Sequence, residues 1–398
     1  MRYSDEFRDG TLVQEIASRI AKREGAHAAI MEVCGTHTMS AARFGLSSLL
    51  PPGVTLVSGP GCPVCVTDQR DIDSFLAIGR VPGVILASFG DMLRVPGSET
   101  PPAAVGAKDS ESGRCERTAT PSSESFAPTV SSPKMSLEKL RAAGADVRVV
   151  YSPIDAVEIA RGNPESQVVF FGVGFETTMP ATALALRVAA EGDVGNFYIF
   201  CCHKTMPAAL RALLCAGEVR LSGLLLPGHV TTIIGARAYG FIPCEFGIPC
   251  AVTGFEPVDM MLGIESILRQ IADGNARVDN VYPRAVHWEP NAQAAKLLSE
   301  VFVVSDAFWR GIGVIPGSGV EIAPKYARLD ARRRFADVIG AVAEPAASPC
   351  RCGEVLRGVM SPVECPLFGK QCTPTDPVGP CMVSSEGACA AAFKYGGS

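Results

Sequence analysis

The amino-acid sequence predicts an α/β protein with two consecutive parallel-sheet domains facing a central cleft, followed by a mostly helical or irregular C-terminal domain. Three observations lead to this fold class. Short apolar runs alternate with helical segments, small polar or reactive residues follow the runs, and the chain ends in a segment rich in Cys, Pro and Gly. With 398 residues, the chain is long enough for two or three separate cores.

The apolar runs have the length and composition of buried parallel strands, and the segments between them are long enough for helical crossovers. These runs are 29–33, 54–58, 84–88, 147–151, 168–173, 197–201, 223–226 and 249–253. Ligands of open parallel sheets bind beyond the carboxyl ends of the strands. The loops after these runs are therefore where a functional site is expected.

Three domains follow from this pattern. Residues 1–150 hold an N-terminal helix and the first α/β domain, 151–258 hold the second, and 259–398 form the C-terminal domain. The stretch 98–134 is dense in Pro, Ser, Thr and Glu and lacks an apolar period, so we expect a disordered insertion there.

Composition excludes several classes of protein. A net charge of -5 and the absence of a basic run argue against nucleic acid as a partner. The sequence shows neither a signal peptide nor a run of roughly 18 apolar residues, so we expect a cytoplasmic protein without membrane contact. Cytoplasmic thiols stay reduced, and the 15 cysteines therefore indicate metal binding or redox chemistry.

The C-terminal segment contains the densest group of cysteines. Four thiolates suffice for a [4Fe-4S] cluster or a zinc ion, and chemistry alone does not decide between the two. A disulfide-linked tail is a third, less favoured alternative. The six cysteines are Cys350, Cys352, Cys365, Cys372, Cys381 and Cys389.

A C-P-V-C sequence follows the second strand and precedes a helix. A helix N-terminus stabilises a thiolate, so we expect a lowered pKa for Cys62 and a redox-active pair with Cys65. The alternative is half of a zinc site.

The first strand is followed by C-G-T-H-T, in which Cys34 and His37 are both potential metal ligands or a nucleophile beside a base. A lone Cys and His are more often packing residues, but the position at the same sheet edge as the C-P-V-C pair favours function.

Other residues at strand ends have plainer interpretations. Glu176 in GFETT could cap the following helix or serve as an acid or base, and its residue type and position favour the cap. His203 and His229 could each orient a ligand or shuttle a proton, and the plainer alternative is a loop histidine whose ring nitrogens are hydrogen-bonded. The remaining thiols in apolar surroundings are expected in the core, namely Cys201, Cys202, Cys215, Cys244 and Cys250.

The motifs CGTHT, GPGCPVC, GFETT and PGHVT together with the tail resemble the HypD family of [NiFe]-hydrogenase maturation proteins, over almost the whole length. The family's tail pattern C-x14-C-x6-C-x16-C falls on four cysteines of this sequence, which favours the cluster over zinc. The resemblance therefore implies a C-terminal iron-sulfur domain whose [4Fe-4S] ligands are Cys350, Cys365, Cys372 and Cys389.

The resemblance also implies a function. The family is a scaffold on which a transient iron acquires cyanide and carbon monoxide ligands, together with the chaperone HypC and then with the cyanide donor HypE, which acts downstream of HypF. Cys34 would ligate this iron, His37 would lie in the cleft, and Cys62 and Cys65 would supply redox-active thiols. The sequence departs from the family at Pro290 and at Gly317, neither of which is next to these cysteines.

Two rival functions stay open. The first is a cluster-dependent thiol-disulfide oxidoreductase that acts on a protein substrate without an iron scaffold. The second is a structural zinc protein.

Overall fold

The computed structural model describes residues 5–23, 27–98, 134–345 and 348–396. In that part the chain forms an α/β fold in which both larger sheets are parallel. The strands are β1 (Ala28–Glu32), β2 (Val54–Ser58), β3 (Val84–Ser88), β4 (Asp146–Val149), β5 (Gln167–Gly172), β6 (Phe197–Cys201), β7 (Gly223–Pro227), β8 (Cys250–Thr253), β9 (Val278–Asn280), β10 (Phe302–Trp309) and β11 (Gly313–Ile322).

Helices connect most of these strands. The α-helices are α1 (Gly10–Ala21), α2 (Gly35–Arg43), α3 (Pro63–Val66), α4 (Gln69–Ile78), α5 (Leu137–Ala142), α6 (Pro153–Gly162), α7 (Met179–Glu191), α8 (Met206–Ala216), α9 (Gly228–Ile234), α10 (Pro257–Asp273), α11 (Ala292–Val301), α12 (Ala331–Arg334), α13 (Ala336–Gly340), α14 (Cys352–Leu356) and α15 (Ala388–Tyr395). Short 3-10 helices lie at Asp5–Arg8, Leu46–Leu49, Gly90–Met92, Ala236–Tyr239, Pro324–Leu329, Pro362–Glu364 and Pro380–Met382, and one π-helical turn lies at Ile242–Phe246.

The first parallel sheet has the strand order β2-β1-β7-β8-β9, and the second has the order β4-β3-β5-β6. The chain therefore leaves the first sheet after β2, builds the whole second sheet, and returns to pair β7 with β1. The prediction of two consecutive sheets is wrong, because the second sheet is inserted within the first. The expected boundaries at 150 and 258 do not coincide with the borders between the sheets.

A long antiparallel hairpin is the main element that the sequence analysis missed. Strands β10 and β11 pair between Phe302 and Ile322, with a register shift between Ser305 and Ala307. This region was expected to be helical or irregular. Several apolar side chains of the hairpin are exposed, including Val304 at 73%, so its strands lack the continuous apolar run that marked the buried parallel strands.

The base of the predicted insertion is closed by hydrogen bonds. The amide of Gly97 donates to the carbonyl of Met135 over 2.7 Å, and the Ser98 amide donates to Asp73 over 2.7 Å. Ser136 is the N-cap residue of α5, because its hydroxyl accepts a hydrogen bond from the Lys139 amide. Residues 99–133 lie outside the described residues, and disorder there stays a prediction.

A shared apolar core joins the carboxyl ends of the two sheets. It includes Val33, which follows β1, and Val173 and Phe175, which follow β5. Buried Tyr239 and Trp309 belong to the same cluster. Residues that follow strands of both sheets therefore belong to one apolar core, whereas an open cleft between the sheets stays a prediction.

Within the described ranges, none of the helices combines the length and apolar character that a membrane crossing requires.

Candidate functional site

Cys34 is a buried residue in the short connection between β1 and α2, and backbone hydrogen bonds hold this connection in place. The amide of Val33 still donates to the Leu225 carbonyl of β7, over 3.1 Å, and Cys34 is the N-cap residue of α2. Its residue exposure is only 8%. Burial raises the pKa of the Cys34 thiol to about 12, and the nearby carboxyl of Glu386 raises it as well.

The C-P-V-C sequence forms a tight turn at the start of α3. Cys62 and Cys65 are joined by a disulfide, with their Cα atoms 5.3 Å apart. The Cys65 amide donates to Cys62 Sγ over 3.2 Å, which is the N-cap interaction expected of this position. Both residues are buried. The lowered pKa that was expected for Cys62 concerns the reduced pair and stays a prediction.

The two loops touch through their backbones, because β1 and β2 are neighbouring parallel strands. The Gly35 amide donates to the Gly61 carbonyl over 3.1 Å. A Cβ atom at Gly61 would overlap the backbone of Cys34, so only glycine allows this approach. The chain neighbours of Cys34 and Cys62, Gly35 and Gly61, are thus in direct backbone contact. This agrees with the prediction that both cysteines lie at the same edge of the sheet.

His37 is a fully buried neutral imidazole of α2. Burial lowers its pKa to about 4, and its Nε2 atom lies 3.0 Å from the Gly254 carbonyl, to which a neutral ring must donate. Its Nδ1 atom has no hydrogen-bond partner among the described residues. Phe255 lies between two imidazoles, with ring centroids 4.8 Å from His37 and 3.8 Å from His229. Burial also lowers the pKa of His229.

Glu176 caps a helix, but not the one that follows it. Its Oε1 atom accepts from the Met206 amide over 3.0 Å at the start of α8, whereas Thr178 is the N-cap residue of α7. The prediction of a cap on the following helix is therefore wrong. Burial raises the pKa of Glu176 to about 7, and its Oε2 atom has no partner within the described part of the chain.

His203 is a buried histidine whose two ring nitrogens both have hydrogen-bond partners. Its Nε2 atom lies 3.1 Å from the Thr182 hydroxyl, and its Nδ1 atom lies 3.4 Å from the Gly174 carbonyl. Burial lowers its pKa to about 4. Of the five other thiols expected in the core, Cys215 and Cys244 are exposed, so the prediction is wrong for these two.

The C-terminal segment packs directly on both N-terminal cysteine loops. The Ser384 hydroxyl lies 3.4 Å from Cys62 Sγ, and the Thr36 hydroxyl donates to Glu386 over 2.7 Å. A side chain at Gly35 would overlap the backbone of Glu386. Sequence analysis did not identify Ser384 or Glu386 as site residues. Their position in the sequence, between the last two cysteines of the tail, could have marked them as site residues.

All six tail cysteines line one small cavity. Its other walls are the apolar side chains of Val355, Leu367, Phe368 and Met382 together with Gly379. Hydrogen bonds from the thiols of Cys350 and Cys381 lower the pKa of the Cys352 thiol, and the Arg310 guanidinium lowers it further. The four predicted ligands line the same cavity as Cys352 and Cys381. The structure therefore does not distinguish the predicted ligands from these two other cysteines.

The donor set of this cavity matches the chemistry of an iron-sulfur cluster, which is held by four cysteine thiolates. In the described residues, however, no group of three or more His, Cys, Asp or Glu side chains is arranged around one point so as to hold a single metal ion. Because each iron of a cube takes one cysteine, the ligands of a cluster surround a volume rather than a point.

Comparison with known proteins identifies the family. The HypD family model, described as the hydrogenase formation hypA family, matches residues 11–111 and 127–396. The chain is 42% identical to the hydrogenase maturation factor HypD of Rhodobacter capsulatus, over all of this chain and 99% of that protein. It is also 42% identical to HypD of Azotobacter vinelandii, covering 97% of that protein, and 41% identical to HypD of Escherichia coli K12, covering 99% of this chain and 98% of that one. The chain therefore belongs, over its whole length, to the HypD family of hydrogenase maturation factors.

Proposed function

We propose that this protein holds iron through Cys34 while the iron acquires cyanide and carbon monoxide for the active site of a [NiFe]-hydrogenase. The observation that supports this proposal is the placement of Cys34. It is buried at the carboxyl edge of a parallel sheet. The next residue, Gly35, is hydrogen-bonded to the loop that carries the disulfide, and Thr36 is hydrogen-bonded to Glu386 of the tail. A thiolate is a soft ligand that suits iron with strong-field ligands.

The residues around Cys34 divide the work. His37 offers a buried, unprotonated Nδ1 atom, and its fixed Nε2–H bond to Gly254 sets the orientation of the ring. Glu386 and Thr36 tie the tail to the loop that carries Cys34. This packing excludes water from the thiol, so the iron unit is shielded while it is incomplete.

The Cys62–Cys65 pair serves as the redox partner of the site. Opening the disulfide consumes two electrons and two protons and yields two thiols. We assign Cys350, Cys365, Cys372 and Cys389 to a [4Fe-4S] cluster, which supplies one-electron transfer when it is bound. The electrons come from an external low-potential donor, and the contact between Ser384 and Cys62 supports a short path.

The partners in this proposal are HypC, which contributes a second cysteine ligand to the iron, and HypE, which delivers cyanide prepared with HypF. A thiol-disulfide oxidoreductase with a protein substrate is the weaker candidate. Both sulfur atoms of the disulfide are buried, with residue exposures of 2% for Cys62 and 0% for Cys65, so an external thiol does not reach them without movement.

The decisive experiment compares Cys34→Ala with Cys250→Ala in protein purified anaerobically together with HypC. Cys250 is a buried thiol at the amino end of β8 in the same sheet and is the matched control. We expect Cys34→Ala to lose the bound iron and the infrared bands of iron-bound cyanide and carbon monoxide. The visible absorbance of the tail cluster should persist in both variants.

Retention of the infrared bands and the iron in Cys34→Ala would contradict the assignment of the ligand. Absence of such bands from the wild-type complex, combined with reduction of generic disulfides without HypC, would support the oxidoreductase instead.

A further inference from the structure

Two buried polar side chains near the join of the two sheets have atoms without a hydrogen-bond partner in the described part of the chain. They are Glu176, through Oε2, and Tyr239, through its hydroxyl. The residue exposures are 4% and 0%. An unpaired buried polar group loses its hydrogen bonds to water and gains none in return, so native structures rarely contain one without a reason.

The fold brings both side chains toward Cys34 from different sheets. Tyr239 ends the 3-10 helix that comes after β7 and α9, and β7 pairs with β1, whose end carries Cys34. Glu176 follows β5 of the second sheet, next to Phe175. Val33 precedes Cys34 and Phe175 precedes Glu176 in the chain, and both belong to the same buried apolar cluster as Tyr239.

The electrostatic interactions agree with this placement. Burial raises the pKa of the Tyr239 hydroxyl well above its ordinary value, and the Glu176 carboxyl raises it further. The Cys34 thiol acts in the same direction, whereas the nearby side chain of Thr231 lowers it. Tyr239 is therefore close enough to both groups to sense their charge, and it is protonated at neutral pH.

We propose that Tyr239 and Glu176 form a hydrogen-bonding pocket opposite Cys34 that receives the cyanide ligands of the iron held there. This inference rests on the proposed function and names the residues that distinguish its ligands. The nitrogen of metal-bound cyanide carries negative charge and accepts hydrogen bonds, whereas the oxygen of bound carbon monoxide is a poor acceptor.

Each residue has a definite part in the pocket. Tyr239 offers its phenolic O–H, which makes no hydrogen bond of ordinary geometry in the described ranges, although the Thr231 hydroxyl, which donates to the Pro227 carbonyl, lies nearby. Glu176 is held in place by the Met206 amide at Oε1, which leaves Oε2 to carry a proton toward the ligand. The pocket therefore favours cyanide at the positions that face these donors and leaves carbon monoxide to a position without a donor.

The test is Tyr239→Phe, which removes one oxygen atom, in the anaerobically purified complex with HypC. We expect an unchanged iron content after purification, a shift of the cyanide infrared bands and an unshifted carbon monoxide band. Release of iron to a chelator should be about tenfold faster, because a hydrogen bond worth about 1.4 kcal/mol corresponds to a factor of ten.

The matched control is Tyr198→Phe, which removes the hydroxyl of another buried tyrosine, on β6. Its bands and release rate should equal those of the wild type. Glu176→Gln keeps an acceptor for the Met206 amide and replaces Oε2 with an N–H donor, so its iron release should stay closer to the wild type than that of Tyr239→Phe.

Identical cyanide bands and release rates in Tyr239→Phe and the wild type would overturn the inference while leaving the proposed function intact. A measurement on the wild type provides a second decision if the variant does not fold. Exchange into D₂O must shift the cyanide bands when an O–H group donates to them, and no shift would overturn the inference. A wild-type complex without cyanide bands would instead defeat the proposed function, and the pocket with it.

Discussion

The strand-end loops and the tail each hold cysteines of the proposed site, but they position them in opposite ways. Cys34 lies between two backbone hydrogen bonds, one from Val33 to Leu225 of β7 and one from Gly35 to Gly61. The tail from Cys350 to Cys389 consists of short helices and turns whose thiols converge on one cavity. Backbone hydrogen bonds of the sheet therefore position Cys34, whereas the position of the tail cysteines depends on how their side chains pack.

This difference teaches where order comes from in each region. Parallel pairing fixes the Cys34 and Cys62 loops whether or not iron is present, because the sheet hydrogen bonds are made by the chain itself. We expect the tail to gain folding free energy from the proposed cluster, as small metal-binding domains gain it from their metal. Leu356 and Met382 belong to the main apolar core and link the tail to it.

The largest effect is expected from Cys365→Ser, since the hydroxyl of serine is a poor ligand for iron in a cluster. We expect complete loss of the cluster absorbance, with the far-ultraviolet circular dichroism of the two sheets retained. Cys352→Ser is the matched control and should keep the absorbance, because Cys352 lies outside the predicted ligand pattern although it lines the same cavity. Equal loss in the two variants would refute the assignment of the ligands.

The reverse experiment disturbs only the strand-end site. Gly61→Ala should lower the free energy of unfolding by about 3 kcal/mol, because a Cβ atom there overlaps the backbone of Cys34 and the loops must separate. Gly10→Ala is the control, since nothing lies within 4 Å of a Cβ atom at that position. Urea unfolding measures both. A cost at Gly61 no larger than that at Gly10 would show that the loops are not in backbone contact.

A smaller effect concerns the dependence of the sheets on pH. Burial lowers the pKa of His203 from 6.5 to about 4 in the folded protein, so protonation favours the unfolded chain. This part of the stability is present above pH 6.5 and is lost as the pH falls toward 4. Between pH 7 and pH 5, the wild type should lose about 2 kcal/mol more than His203→Gln does.

Urea unfolding at the two pH values measures that difference, with His287→Gln at an exposed position as the control. Equal losses in the wild type and in His203→Gln would show that the buried imidazole does not contribute. Cluster absorbance recorded at the same pH values shows whether the tail also changes with pH, so that its contribution is distinguished from that of the sheets.

Local features were predictable because they depend on neighbours in the chain. The run at 84–88 is β3 as predicted, and Ser136 caps its helix. The contact between the CGTHT and CPVC loops followed from two strand ends at one sheet edge. The alternating exposure of Phe302–Trp309 does not resemble a buried strand, so the hairpin was missed.

The sequence by itself determined the family, the reactive residue types and the strand ends that carry them, because motifs and apolar runs are local properties of the chain. Only the tertiary structure decided that β7 returns to β1, that Ser384 lies against Cys62, and that Tyr239 is fully buried. Several apolar strands are equally suitable partners at the sequence level. Which of them pair depends on how the chain crosses between layers, and a local pattern does not encode that path.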